Sequence, residues 1–118
     1  MSAEQSQRMM SMCESARVHV DELLVVLAKS KMLNILYILN CDTKPLRFSE
    51  IKRRVNSSST TVTRRLGELE KHDLVTRTVF PTVPTTVEYS LTKAGIALQP
   101  SLESLFDWVL DFADESQN

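Results

Sequence analysis

Only two glycines occur in the 118 residues, too few for the Gly-rich loop that cradles a phosphate. The chain also lacks a nucleophile-elbow sequence and a set of side chains at metal-ligand spacing. Those absences argue against an enzyme, and no cofactor or metal is expected. Cysteine is equally sparse. Cys13 and Cys41 stand far apart, and neither has a CxxC neighbour or a histidine at ligand spacing, which excludes the usual zinc patterns. They read as two free thiols, with a redox-responsive Cys13 in an exposed leader as the alternative. Nothing near His19 or His72 suggests a ligand or a general base. Long apolar runs are missing too. The strongest, at 23–27 and 35–39, are far too short to cross a bilayer. No basic-then-apolar leader is visible, so a cytoplasmic protein with no membrane partner is expected.

What remains is ordinary in amount and uneven in distribution. With 42% hydrophobic and 25% charged residues, the chain suits one globular domain. The net charge of −1 hides a strong partition. Residues 1–43 carry −1, residues 44–78 carry +5 and residues 79–118 carry −5. Binding to a polyanion depends on the local field, and that field is positive over the central segment.

Residues 1–13 are polar and rich in Ser, Gln and Met, a weakly ordered leader. The domain is expected over 14–112, with an acidic tail at 113–118. Ala16, Val20, Leu23, Leu24 and Leu27 recur at helical spacing. After a break at 28–31, Met32, Leu33, Ile35, Leu36 and Leu39 resume as a helix buried over much of its circumference. Asn40, Asp42 and Pro45 end it. Ser49 is expected to cap the next helix, with Glu50 in its first turn and Ile51 and Val55 facing inward. A turn at 56–59 leads to a helix from Ser59 to about Lys71, capped by Ser58, with Val62, Leu66 and Leu69 inward. Two strands are expected at 74–80 and 83–91, joined by a stiff tip between Pro81 and Pro84. In the second, Val83, Val87, Tyr89 and Leu91 form the apolar face. Thr92 caps a last helix reaching about Phe112, with an apolar stripe of Leu98, Leu102, Leu105, Val109 and Phe112. Pro100 is expected to kink it.

The order helix, turn, helix, hairpin describes a helix-turn-helix at 49–71 followed by a β-hairpin wing at 74–91. The fold class is therefore α+β, mostly α, with extra helices at both ends. The helix from Ser59 suits insertion into a DNA groove. By helical geometry Thr60, Thr61, Arg64 and Gly67 face away from its apolar stripe. Arg64 can grip a guanine edge bidentately, and Thr60 and Thr61 can reach bases. Lys52, Arg53 and Arg54 lie on the preceding helix, which in such motifs crosses the DNA backbone. Together with Ser58, Ser59, Thr63 and Arg77 they are the expected phosphate contacts. Arg65 has a structural alternative, pairing with Glu68, Glu70 or Glu50.

Several runs resemble the HxlR-type regulators, winged helix-turn-helix proteins of MarR-like architecture. They are Pro45-Leu46-Arg47-Phe48-Ser49-Glu50-Ile51, Arg65-Leu66-Gly67-Glu68-Leu69-Glu70, Leu74-Val75, and the wing from Arg77 through Pro81-Thr82-Val83-Pro84 to Val87-Glu88-Tyr89-Ser90-Leu91-Thr92 and Gly95. The likeness spans 31–108, and the wing run is its most specific part. It implies a homodimer built by the first and last helices that binds inverted-repeat operators and regulates transcription. The family favours a basic residue just before Val87, where this chain has Thr86, which implies a weaker grip by the wing.

The apolar surplus of the last helix supports a dimer independently, since Phe106, Trp108 and Leu110 add surface beyond that stripe. The residues assigned to dimerisation are Val20, Leu24, Leu105, Phe106, Trp108, Val109 and Phe112. Double-stranded DNA and a second copy of the chain are the expected partners. A protein-interaction module without specific DNA binding is the rival reading, and a thiol-based redox-responsive regulator is a further one.

Overall fold

The computed structural model describes residue 7, residues 14–41 and residues 44–117; side chains are described for 7, 16–41 and 44–112. Cys13, almost all of the leader and Asp42 lie outside the described residues, as do the side chains of the acidic tail. Among the described residues, helices and short strands follow in the order α1 (Glu14–Leu27), α2 (Met32–Cys41), β1 (Leu46–Arg47), α3 (Phe48–Val55), α4 (Ser59–Lys71), β2 (Val75–Phe80), β3 (Thr86–Leu91) and α5 (Lys93–Gln117). The strands form one antiparallel sheet in the order β1-β3-β2.

The core lies where α2, α3 and α4 meet the sheet. Met32, Ile35, Leu36, Ile51, Val62, Leu66 and Leu69 are fully buried there, joined by Leu46, Val55, Leu74, Val75, Tyr89 and Leu102. The helix-period residues of α2, α3 and α4 thus pack as their spacing requires. In α2 even consecutive residues are buried (Ile35 with Leu36, Ile38 with Leu39), while Tyr37 stays half exposed. Asn56 ends α3 in the left-handed region, at φ 57, with its N–H on the Lys52 carbonyl. Ser58 caps α4 by accepting from the Thr61 N–H at 3.2 Å.

Three expectations need correction. First, α3 begins at Phe48 and its N-cap is Arg47, not Ser49. The reason is β1, a two-residue strand that sequence spacing did not suggest. Leu46 and Arg47 pair with Tyr89 and Glu88, so the chain passes directly from ladder to helix. The Arg47 N–H then donates to the Glu50 carboxylate at 3.3 Å. Second, β3 begins at Thr86. The last pair of the hairpin is Phe80 with Thr86, and Val83 in the tip is fully exposed at 100%. Pro84 has no N–H for a ladder, and the Thr82 hydroxyl instead braces the tip by donating to the Pro84 carbonyl at 2.7 Å. Third, α5 runs past Phe112 to Gln117. Of its apolar stripe, Leu102 is buried and Leu98 partly so, while Leu105, Val109 and Phe112, assigned to the dimer face, are exposed. In α1 Val26 is buried, while Val20 and Leu24, assigned to the dimer face, are exposed.

The start of α5 is fixed to the helix-turn-helix by one residue, Thr92. Its hydroxyl donates to the Asp73 carbonyl at 2.6 Å and accepts from the Gly95 N–H at 3.1 Å. Its own N–H donates to the Leu74 carbonyl at 3.1 Å. The expected cap therefore also ties the last helix to the turn after α4.

Candidate nucleic-acid interface

Burial of Val62, Leu66 and Leu69 against the core fixes the rotation of α4 and so decides which side chains it presents. Thr60, Thr63 and Arg64 are exposed, as are Gly67 and Lys71 further along. Thr61 is half-buried, and its hydroxyl accepts from the Ser58 hydroxyl at 3.0 Å. Ser58 and Thr61 are thus engaged with each other at the cap, leaving Thr60, Thr63 and Arg64 as the outward groups of the first turns. Ser59 is exposed at the helix start, where unpaired N–H groups favour an anion.

The second group of cations comes from α3. Ile51 and Val55 are buried, so Lys52, Arg53 and Arg54 are turned to solvent. A shallow depression between α3 and the turn is lined by Ser49, Lys52, Arg53, Asn56 and Ser57. Ser49, Asn56 and Ser57 belong to this surface although sequence reasoning gave them only capping or turn roles. The signal that could have found them is their polarity beside two cations. Arg77 is exposed on β2, an edge strand of the sheet, opposite Tyr89. It stands on a different element from the other cations, and the outer part of the wing (Val79, Phe80, Val83) is apolar and exposed.

Arg65 does not join the outward set. Its guanidinium is largely covered and forms an ion pair with Glu68, one turn along the same helix. The other Glu68 oxygen receives the Lys29 ammonium at 2.5 Å. Partial burial pushes the Glu68 carboxyl up, but the hydrogen bond from Lys29 and the charges of Arg65 and Lys29 outweigh it. The net result is a pKa below the usual carboxylate value. This clamp joins the α1–α2 connection to the inner flank of α4. The Arg65 Nε is buried without a partner among the described residues, and the ion pair with Glu68 commits this arginine to the fold. Among the described residues, no three His, Cys, Asp or Glu side chains gather as a metal site.

The surfaces assigned to self-association are split. Val20, Leu24, Leu105, Trp108, Val109 and Phe112 are all exposed, with Trp108 against Phe112 at 4.9 Å between ring centroids. Phe106 differs from them. It is partly buried on the core and meets Tyr37 edge-to-face at 5.8 Å. The Tyr37 hydroxyl is raised in pKa by its hydrogen bond and charge interaction with Cys41, then by burial and the Glu103 charge. Cys41 itself is a free, exposed thiol.

The model of the HxlR-like helix-turn-helix family matches residues 25–117, which span α2, the helix-turn-helix, the wing and α5. This chain belongs to the HxlR-like family. An uncharacterized HTH-type transcriptional regulator of Methanothermobacter thermautotrophicus is 42% identical over 74 residues, covering 62% of this chain. The chain spans only 56% of that relative's length. Among solved structures, a MarR-family regulator from Enterococcus faecalis superposes with a TM-score of 0.73 at 29% identity, covering 92% of this chain and 96% of that one. The reduced form of the transcriptional regulator YodB from Bacillus subtilis gives 0.68 at 31% identity, covering 83% and 91%. The HxlR-like chain thus shares the mostly helical, winged architecture of MarR and HxlR regulators, of the α+β class expected from its element order.

Proposed function

We propose that this HxlR-like chain is a sequence-specific DNA-binding regulator of transcription that acts as a homodimer on an inverted-repeat operator. The observation that carries the reading is the outward face of α4. It presents Thr60, Thr63 and Arg64 in a row, backed by a helix whose solvent face is Lys52, Arg53 and Arg54. A helix pinned by three buried side chains, with a cationic helix behind it, meets the demands of major-groove reading: a fixed register and phosphate anchors on one side.

In this mechanism Arg64 and Thr60 read base edges, and Thr61 orders the first turn through Ser58. Lys52, Arg53 and Arg54, with Ser59 and Thr63, hold phosphates, and Arg77 reaches a flanking phosphate from the wing. The exposed apolar faces of α1 and α5 pair with those of a second copy, so that two α4 helices enter successive major grooves about 34 Å apart. The acidic α5, with Glu103, Asp107 and Asp111, stays away from DNA.

Recovery of DNA bound by the chain across a genome tests the reading. It should return one sequence with two-fold symmetry and half-sites one helical turn apart. Gel shifts on that sequence should weaken steeply with salt. Recovery of no enriched sequence, with weak and salt-insensitive retention, would support the interaction-module reading instead.

A further inference from the structure

We propose that Gly67 sets how deeply α4 enters the DNA groove, its missing side chain marking the closest approach of helix to DNA. The inference rests on the DNA-binding reading above. Glycine is the poorest helix former after proline, yet Gly67 lies inside α4. Nothing among the described residues requires it. A Cβ built at Gly67 meets no atom within 4 Å, and the residue does not have positive φ. Gly95 is the contrast, because a Cβ there would stand 2.3 Å from the Leu74 carbonyl oxygen. The chain thus accepts a helix-weakening residue at a position where alanine fits freely.

The place of Gly67 on the helix points to what needs the space. Thr60, Arg64, Gly67 and Lys71 succeed one another at spacings of four, three and four, which puts them on a single line. That line runs opposite the buried Val62, Leu66 and Leu69. Gly67 therefore sits at the centre of the outward face, between two long cationic side chains, Arg64 and Lys71, both exposed. A bare backbone flanked by two cations fits a close polyanion: the side chains reach to either side while the helix axis moves in. A glycine where a ligand approaches the backbone is a general use of that residue. With the axis close, Arg64 can reach a base edge; with the axis held off, it reaches only the groove wall.

The test uses the 118-residue wild-type chain, Gly67→Ala and Gly67→Leu. The probes are a duplex recovered by repeated selection of random-sequence DNA on the wild-type chain, and an unselected duplex. Both variants should melt at a higher temperature than wild type, because each is a better helix former. Affinity for the selected duplex should fall about tenfold for Gly67→Ala, the scale of one misplaced base contact, and further for Gly67→Leu. Affinity for the unselected duplex should change much less. Stability and specific affinity moving in opposite directions is a result that a purely structural role does not give. A raised melting temperature with unchanged affinity for the selected duplex overturns the inference and leaves the DNA-binding reading intact. Equal losses on both duplexes also overturn it, and a lowered melting temperature for Gly67→Ala contradicts its premise of open space. If wild type selects no DNA, the DNA-binding reading fails and the inference falls with it.

Discussion

At Gly95 a single hydrogen atom in place of a methyl group decides how α5 meets the turn after α4. The carbonyl that a Cβ would strike belongs to Leu74, and the same carbonyl accepts the Thr92 N–H. Gly95→Ala must therefore push backbone against backbone, and we expect it to cost about 1–3 kcal/mol. Urea denaturation checks this, and an unchanged midpoint would show that the turn shifts freely. Lys31 is the opposite case. It holds a φ of 67° at the start of α2, where an L-residue is strained by about 1–2 kcal/mol. Lys31→Gly should raise stability by about 0.5–1 kcal/mol after glycine's own entropy loss. A thermal melt that moves down instead would show that the Lys31 side chain contributes more than its backbone costs. Sequence reasoning reached Thr92 as a cap because hydroxyl residues before a helix have a local reason to be there. It left Arg65 open among Glu68, Glu70 and Glu50. The choice depended on Lys29, which approaches Glu68 from 39 positions away.

Among the elements, α4 is held from two sides: by its buried stripe and by the Lys29–Glu68–Arg65 clamp. The sign of the pH effect follows from the lowered pKa of Glu68. A carboxyl whose folded pKa is depressed stabilises the fold above its unfolded pKa, and that stabilisation is lost as pH falls through the folded value. Lys29 is well exposed, so the contribution is modest, on the order of 1 kcal/mol. Glu68→Gln should accordingly destabilise at neutral pH, and its gap to wild type should close below about pH 4. A gap that persists at acid pH would assign the loss to packing. The outward face of the same helix carries its own prediction. Arg64→Ala should cost about 1–3 kcal/mol on the selected site and relax specificity there. Lys52→Ala should weaken all sequences alike and flatten the salt slope by about one unit. Equal losses on selected and random DNA would remove Arg64 from base reading. Elements with a clear period, such as α2 and α4, were legible because burial imposes that period. The two residues of β1 were not, since a strand that short has no period and exists only because β3 lies beside it.

The whole molecule is more extended than one compact domain of its length. Its radius of gyration is 16.7 Å, against about 13–14 Å for a compact chain of this size. The exposed apolar faces of α1 and α5 account for the need. Leu24 is 57% exposed, Trp108 57% and Val109 46%, more than single scattered hydrophobics explain. Val109→Asp should therefore give a monomer by sedimentation and cut operator affinity by more than about tenfold, because two linked half-sites bind more tightly than one. A wild-type chain that sediments as a monomer would remove the dimer from the mechanism. Spacing showed the apolar stripes from Ala16 to Leu27 and from Leu98 to Phe112 without showing which members the chain itself buries. In the structure Val26 and Leu102 are buried, and Leu23, Leu27, Leu98 and Phe106 pack partly against the core.

By itself the sequence determined the helices with a strong apolar period, the caps at Ser58 and Thr92, the hairpin, and the concentration of positive charge at 44–78. Each of these is local: the residues that cause it are near neighbours in the chain. Tertiary structure decided what depends on distant partners. It set the start of α3 through β1 and gave Arg65 to Glu68. It turned Leu105, Val109 and Phe112 outward, and it required a glycine at 95 but not at 67. A residue's neighbours in the chain dictate its backbone, but the surface that remains for it to bury, or the space left around it, is set only when the other elements arrive.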